Sequence, residues 1–398
     1  MKRFLVWFLT LSLILTGLAT GASAAAGDGW KQAGEEWQYF ENGEAVREKW
    51  IQSNGKWYYF DGDGYMVHDQ FLYLTEETET DENGESYTYN VPSYYMQSDG
   101  SMLAGGWSRC FNGKAWAYAY EDGTLPHKWA KIDGDWYYFS HGYMYENTVI
   151  RPQEGVSTYY AIGKDGKMVT DGWFGREYKY GHYDENDQWI EDGTRTSWYY
   201  ANKDGVLLKG WQKIDGEWYF FYQKGFSEYA DFENAPYMFS NVEPEINGKY
   251  YIFEKSGTLA KSGWVDTNAK FEWGEDQPFW VYVGEDGAEK TGWFQLDGKW
   301  YYANEWAWVA TNTLIDVNGV TYAFGKDCAL VDGWFKNPWS SSDIWYYSTE
   351  NGILVSTWKQ IDGVWYYFNE DGAMMHDVKD YVIDGKPYTF DKSGAWVK

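Results

Sequence analysis

Trp50-Ile51-Gln52-Ser53-Asn54-Gly55-Lys56-Trp57-Tyr58-Tyr59-Phe60, closed by Gly64-Tyr65-Met66, is the phrase that decides the fold. Two short aromatic stretches flank Asn54-Gly55, a dipeptide that supplies the positive φ angles a two-residue hairpin turn requires. The phrase therefore reads as a β-hairpin. It returns throughout the chain, with starts at Trp129, Trp211, Trp293 and Trp358 and with cores such as Trp136-Tyr137-Tyr138-Phe139, Trp300-Tyr301-Tyr302 and Trp365-Tyr366-Tyr367-Phe368. Asp133-Gly134, Asp215-Gly216 and Asp362-Gly363 take the place of Asn54-Gly55. Counting degenerate copies, about fifteen units lie between Gly29 and Lys398. A single hairpin is marginal in water. Stacking hairpins so that the rings of one cover the next buries a continuous core, so the expectation is an all-β solenoid of stacked β-hairpin repeats over 27–398.

A longer period lies above the first. The short-turn units start at 50, 129, 211, 293 and 358, steps of 79, 82, 82 and 65 residues. Between them stand units around Tyr94-Tyr95, Tyr159-Tyr160, Tyr250-Tyr251 and Tyr322, which lack both tryptophans. Others open with Gly106-Trp107, Gly172-Trp173, Gly263-Trp264 or Gly333-Trp334 and carry a longer first turn. Three hairpins make one higher-order unit. After residue 26, no segment of ten or more residues shows helical periodicity.

Composition narrows the function. The 398 residues carry 33 basic and 60 acidic side chains, a formal charge of −27, which excludes a nucleic-acid binder, since that needs clustered Lys and Arg. Aromatics make up 22% of the chain, which excludes simple disorder. Residues 1–26 read as a secretory signal peptide: Lys2 and Arg3, an apolar run from Phe4 to Leu15, then Ala22-Ser23-Ala24 or Ala24-Ala25-Ala26 for cleavage. That run is short of the roughly 20 residues of a membrane span, and no transmembrane segment follows. The expectation is a secreted protein held at the bacterial cell wall by binding. Cys110 and Cys328, 218 positions apart, are expected as free, partly buried thiols, because units of a repeat array touch only their neighbours.

Nothing in the sequence reads as an enzyme or as a metal or cofactor site. The longest stretches outside the repeat phrase, about 67–93, 174–197 and 226–247, fall short of the roughly 50 residues of a minimal domain. His68, His127, His141, His182 and His376 form no zinc-binding pair. Asp beside Gly, as in Asp61-Gly62-Asp63-Gly64, is turn chemistry. The acidic clusters Glu76–Glu85 and Asp184–Asp187 do not match EF-hand spacing and read as solvated loops.

The recurring Gly-Trp, Trp-Tyr-Tyr-Phe and Gly-x-Met elements resemble the choline-binding, cell-wall-binding repeats of Gram-positive surface proteins. Related repeats in glucan-binding proteins and clostridial toxins bind carbohydrate. The resemblance covers essentially the whole chain after residue 26. It implies a left-handed superhelix with about three hairpins per turn, and a choline cage built from the two tryptophans of one hairpin and the second tyrosine of the next. A quaternary ammonium donates no hydrogen bonds and is held through ring faces.

Carried over junction by junction, that pattern is complete four times: Trp30, Trp37 and Tyr59; Trp107, Trp116 and Tyr138; Trp264, Trp280 and Tyr302; and Trp334, Trp345 and Tyr367. In each set the second Trp and the Tyr are 22 residues apart. Weaker cages are Trp173, Trp198 and Phe220; Trp50, Trp57 and Tyr95; Trp129, Trp136 and Tyr160; and Trp211, Trp218 and Tyr251. The series fails where Ala323 and Thr389 stand opposite Trp293/Trp300 and Trp358/Trp365, and no site is expected at junctions without a tryptophan pair. Taken singly, Trp and Tyr at strand spacing are packing residues. Recurrence at fixed offsets is what singles these sets out.

The expected function is non-catalytic attachment to choline on (lipo)teichoic acid. One alternative keeps the fold and makes the ligand a glycan polymer. Another is a surface adhesin or structural protein that meets a protein partner through insertion loops carrying Tyr87, Tyr89, Tyr180, Tyr183 and Trp189.

Overall fold

In the computed structural model the described residues are 27–80, 84–111, 113–152, 156–222, 235–271, 278–338 and 343–397. The expected signal peptide, 1–26, lies outside them. They form sixteen small antiparallel sheets, each a hairpin of sequence-adjacent strands except the third, which encloses another hairpin. The turn chemistry is as read. Asn54 and Gly55 sit at φ 49° and 79°, Asp133 and Gly134 at 51° and 97°, and Asp362 and Gly363 at 47° and 83°, so both central residues of each turn are left-handed.

The described residues divide into two compact units, 27–174 with 201–206, and 175–200 with 207–397. In the first, hairpins follow as Gly29–Ala33/Glu36–Glu41, Lys49–Ser53/Lys56–Phe60, Gln70–Leu72/Tyr94–Met96, Gly106–Cys110/Ala115–Ala119, Lys128–Ile132/Asp135–Ser140 and Thr148–Ile150/Tyr160–Ile162. In the second they run from Gly210–Ile214/Glu217–Phe221 to Val378–Ile383/Lys386–Phe390.

Alternation along each strand gives a hairpin two faces. The last residue of the phrase is the most deeply buried. Phe60, Met96, Phe139 and Ile162 in the first unit, and Phe221, Phe253, Phe324 and Phe368 in the second, have no solvent exposure. Consecutive hairpins share small cores, such as Val46, Ile51, Phe60 and Met66 packed with Trp30, Tyr39 and Tyr58. They are also tied by backbone. The Met66 amide donates to the Trp37 carbonyl at 2.7 Å, Met102 to Trp57 at 2.8 Å, and Met374 to Trp345 at 2.8 Å. Gly-x-Met is therefore the element that links a hairpin to the one before it.

The insertions are more ordered than the sequence suggested. Within Glu76–Glu85, residues 76–80 are strand rather than loop: Thr75–Thr80 pairs with Ser86–Val91 in a regular hairpin, enclosed by the Gln70–Leu72/Tyr94–Met96 sheet, with Thr78 and Thr88 hydroxyls at 2.8 Å. Asp184–Asp187 is a turn, in which the Asp184 carboxylate accepts from the amides of Asn186 and Gln188. Asp61 accepts in the same way from Asp63 and Tyr65. The one described helix, Thr267–Phe271, fills the longer turn of the Gly263–Asp266/Trp280–Val283 hairpin. No described helix is long and apolar enough to cross a membrane. Cys110 and Cys328 are free thiols and fully rather than partly buried, and burial pushes the Cys110 thiol up to about 11.

Candidate ligand-binding junctions

Strand register places the two tryptophans of a hairpin on one face. Trp30 pairs across the strands with Tyr39 and Trp37 with Gln32, two positions along. The indoles of Trp30 and Trp37 meet edge to face, 6.3 Å between centroids at 81°. The same contact recurs at Trp107/Trp116, Trp129/Trp136, Trp211/Trp218, Trp264/Trp280, Trp293/Trp300 and Trp334/Trp345, always at 6.3–6.5 Å and 84–87°. A ring from the following hairpin completes each set.

That third ring is displaced by one residue from the expected one at most junctions. Trp30 meets Tyr58 at 4.8 Å, Trp107 meets Tyr137 at 5.1 Å, Trp264 meets Tyr301 at 5.2 Å and Trp334 meets Tyr366 at 5.0 Å. Tyr59, Tyr138, Tyr302 and Tyr367 lie instead against the first tryptophan of their own hairpins, Trp50, Trp129, Trp293 and Trp358. The reason is the pleat. In Trp57-Tyr58-Tyr59-Phe60, Tyr58 and Phe60 face the preceding hairpin while Trp57 and Tyr59 face the following one, so counting one residue too far changes the face. Tyr95 is corrected likewise: Trp50 meets Tyr94 at 5.0 Å, and Tyr95 packs on Phe71.

Two of the weaker sets come together as read. Trp129 meets Tyr160 at 5.0 Å and Trp211 meets Tyr251 at 4.8 Å. Of the remaining set, Trp173 falls in the first unit and Trp198 and Phe220 in the second, where Phe220 lies against Trp211.

Two junctions set aside on sequence acquire their ring. Trp293 meets Tyr322 at 4.8 Å and Trp358 meets Tyr388 at 5.0 Å, because the residues facing back are Tyr322 and Tyr388 rather than Ala323 and Thr389. Distance from the buried last residue of each phrase, Phe324 or Phe390, was the signal in the sequence that locates them.

Ring faces are open to solvent. Trp37, Trp136, Trp218 and Trp300 keep 40–44% of their surface exposed although each touches a second indole. Burial pushes the phenols of Tyr94, Tyr137 and Tyr301 up from their ordinary value, so they present neutral rings. At Trp334, Trp345 and Tyr366 the rings line a cavity of about 710 Å³, which Met374, His376, Asp377, Lys392 and Asp343, itself paired with Lys336, also border. Three aromatic rings suit a cation that donates no hydrogen bond.

A different constellation was not read from the sequence. Glu77, Glu79 and His127 gather where the nested hairpin meets the Lys128–Ile132 strand. Lys128 pairs with Glu79, which also accepts from the hydroxyls of Tyr87 and Tyr89, and these bonds hold its carboxyl down at about 2. This is an internally matched ion pair. Of the insertion aromatics, Tyr87, Tyr183 and Trp189 are exposed, while Tyr180 lies under the Arg195 guanidinium at 4.0 Å.

Residues 354–398 match a family model described as a choline-binding repeat, and residues 48–66, 127–140, 187–207, 209–225 and 291–306 match one described as a cell wall binding repeat. These six segments, about a third of the chain, carry choline-binding and cell wall binding repeats. Over 271 residues, 66% of this chain, it is 26% identical to Glucosyltransferase-S of Streptococcus mutans serotype c, covering 16% of that protein. Over 259 residues, 59% of this chain, it is 25% identical to Glucosyltransferase-I of Streptococcus downei, covering 14%. The chain thus spans about one sixth of the length of the curated relatives it matches. Among solved structures, CbpJ of Streptococcus pneumoniae aligns with 73% of this chain and 100% of its own, at 20% identity and a TM-score of 0.47. Choline binding protein F of the same species, solved in the presence of a peptidoglycan analogue, aligns with 74% and 99%, at 23% identity and a TM-score of 0.47.

Proposed function

We propose that the protein is exported by its N-terminal segment and attaches to the bacterial cell wall by holding choline groups of (lipo)teichoic acid in the aromatic junctions. The observation that carries this reading is the recurrence of one geometry, two indoles at 6.3–6.5 Å and a phenol at 4.8–5.2 Å, at seven junctions. Packing alone does not require an exposed second indole, such as Trp37, Trp136, Trp218 and Trp300 show. The array acts as a binding module, with the trimethylammonium head against the rings and no covalent step. A three-ring cage corresponds to an affinity near millimolar, about −4 kcal/mol. Several cages on one chain facing a choline-decorated polymer raise retention by avidity. A left-handed superhelix of three hairpins per turn, as the repeat resemblance implies, would bring like junctions to one side, and small-angle scattering tests it.

A second reading, stacking of the same rings on glycan faces, is favoured by the match to the two glucosyltransferases. Titrating choline chloride into the chain from residue 27 onward, with tryptophan fluorescence as readout, separates the two. Saturable millimolar binding, reduced in Trp37→Ala and Trp345→Ala, supports the choline reading. No response at tens of millimolar choline, with retention on glucan, replaces it with the glycan one.

A further inference from the structure

Cross-strand register sets one residue directly opposite the second tryptophan of each hairpin. It is glutamine opposite Trp37, Trp57, Trp300 and Trp365, lysine opposite Trp136, Trp218 and Trp345, Asp266 opposite Trp280 and Arg109 opposite Trp116. This neighbour shares the face on which the tryptophan stands, so its charge lies beside the ring that would take a cation.

Arg109 goes further than the lysines. Its guanidinium lies over the Trp116 ring, 4.1 Å from the centroid. Its Nη1 donates to the Gly113 carbonyl at 3.0 Å, which fixes the head within the hairpin's own turn. The ammonium groups of Lys131 and Lys213 stand 6.0 and 5.8 Å from Trp136 and Trp218, at the limit of a cation–π contact, and those rings remain exposed. Trp116 is only half-exposed. A guanidinium stacks flat on an indole, which a lysine ammonium does not.

We infer that Arg109 guards the Trp107/Trp116/Tyr137 junction, occupying with its own guanidinium the cation position that the other junctions leave open. The inference rests on the cation-binding reading of the junctions. A quaternary ammonium entering here must displace the guanidinium or sit beside a like charge. The residue opposite the second tryptophan thus grades the junctions, glutamine leaving them open and arginine closing one.

The test follows the indole N–H resonance of Trp116, assigned by its loss in Trp116→Phe, during a choline chloride titration of the chain from residue 27 onward. In the wild-type chain its midpoint lies above those of Trp37 and Trp300. In Arg109→Gln it falls about fivefold, to their range, the factor that one exposed cation–π contact represents. Arg109→Lys gives an intermediate midpoint. A purely structural role for Arg109 would not move this midpoint while leaving those of Trp37 and Trp300 in place. Identical Trp116 midpoints in the wild type and Arg109→Gln, with choline bound at the other junctions, overturn this inference alone. A wild-type chain whose indole resonances do not respond anywhere overturns the cation reading and this inference with it.

Discussion

Glu289 stands where Met66, Met168 and Met374 stand in other hairpins, and its amide makes the corresponding link, donating to the Tyr250 carbonyl at 2.9 Å. It is buried, 5% exposed, with the Glu243 carboxyl as its acidic neighbour. Burial, with the Glu243 carboxyl beside it, pushes Glu289 up to about 9, and burial pushes Glu243 up to about 7. Both values lie above the ordinary 4.5, so the folded chain holds these protons more tightly than the unfolded one. The contribution of this pair to stability is therefore greatest below pH 4.5, falls as pH rises through 7 and 9, and levels off above. Glu289→Met restores the thioether and removes a buried carboxyl, a gain on the order of 2 kcal/mol that widens toward pH 9. Thermal midpoints of wild type and variant at pH 6 and pH 9 decide it, and a gap that does not grow with pH overturns the assignment. The sequence showed this Glu in the Met position of its repeat, but burial beside a second carboxyl depends on which face each hairpin offers its neighbour. The same limit produced the Tyr58/Tyr59 slip. Alternation says that adjacent tyrosines face opposite ways, not which of them faces the preceding hairpin.

At the level of the hairpin, the turn dipeptides carried nearly all the information, since Asn54-Gly55 and its counterparts fix strand lengths and register by themselves. What they do not carry is how one hairpin seats on the next. That is done by glycine and methionine. A Cβ on Gly100 would lie 2.3 Å from the Sδ and Cε of Met66, and one on Gly166 would lie 2.1 Å from the Met144 Sδ. Each thioether of the preceding hairpin fills the space a side chain would take. Gly55, by contrast, has nothing within 4 Å, although its φ of +79° is as left-handed as the +77° of Gly100. Replacing either by Ala incurs the same backbone strain, about 1 kcal/mol. Gly100→Ala also displaces Met66 from its slot, and is expected to destabilise by about 1–2 kcal/mol more than Gly55→Ala. Thermal midpoints of the two variants compare them directly; equal losses would mean that the thioether does not hold the stack.

Across the whole chain, each hairpin touches chiefly its sequence neighbours, and the described sheets join no distant strands. Periodicity in the sequence was enough to show this, because a repeat that cannot bury its rings alone must use the next copy. Such an array repeats one weak junction many times, and this bears on how binding depends on number. The second tryptophans Trp37, Trp136, Trp218, Trp300 and Trp345 are exposed, so their replacement by Ala alters the ring set without opening a buried core. If several junctions engage a polymer together, each change weakens retention on a choline-bearing matrix by a similar factor, and the changes multiply, because each junction adds an intramolecular binding step. The free choline needed for elution would then fall stepwise from the single to the fivefold variant, while a soluble choline titration loses sites one at a time at unchanged millimolar affinity. If one junction alone engages, at most one of the five single variants loses retention and the others elute as the wild type does. Stepwise loss is the expected result, since the ring geometry at these five junctions differs by no more than 0.1 Å between the paired indoles.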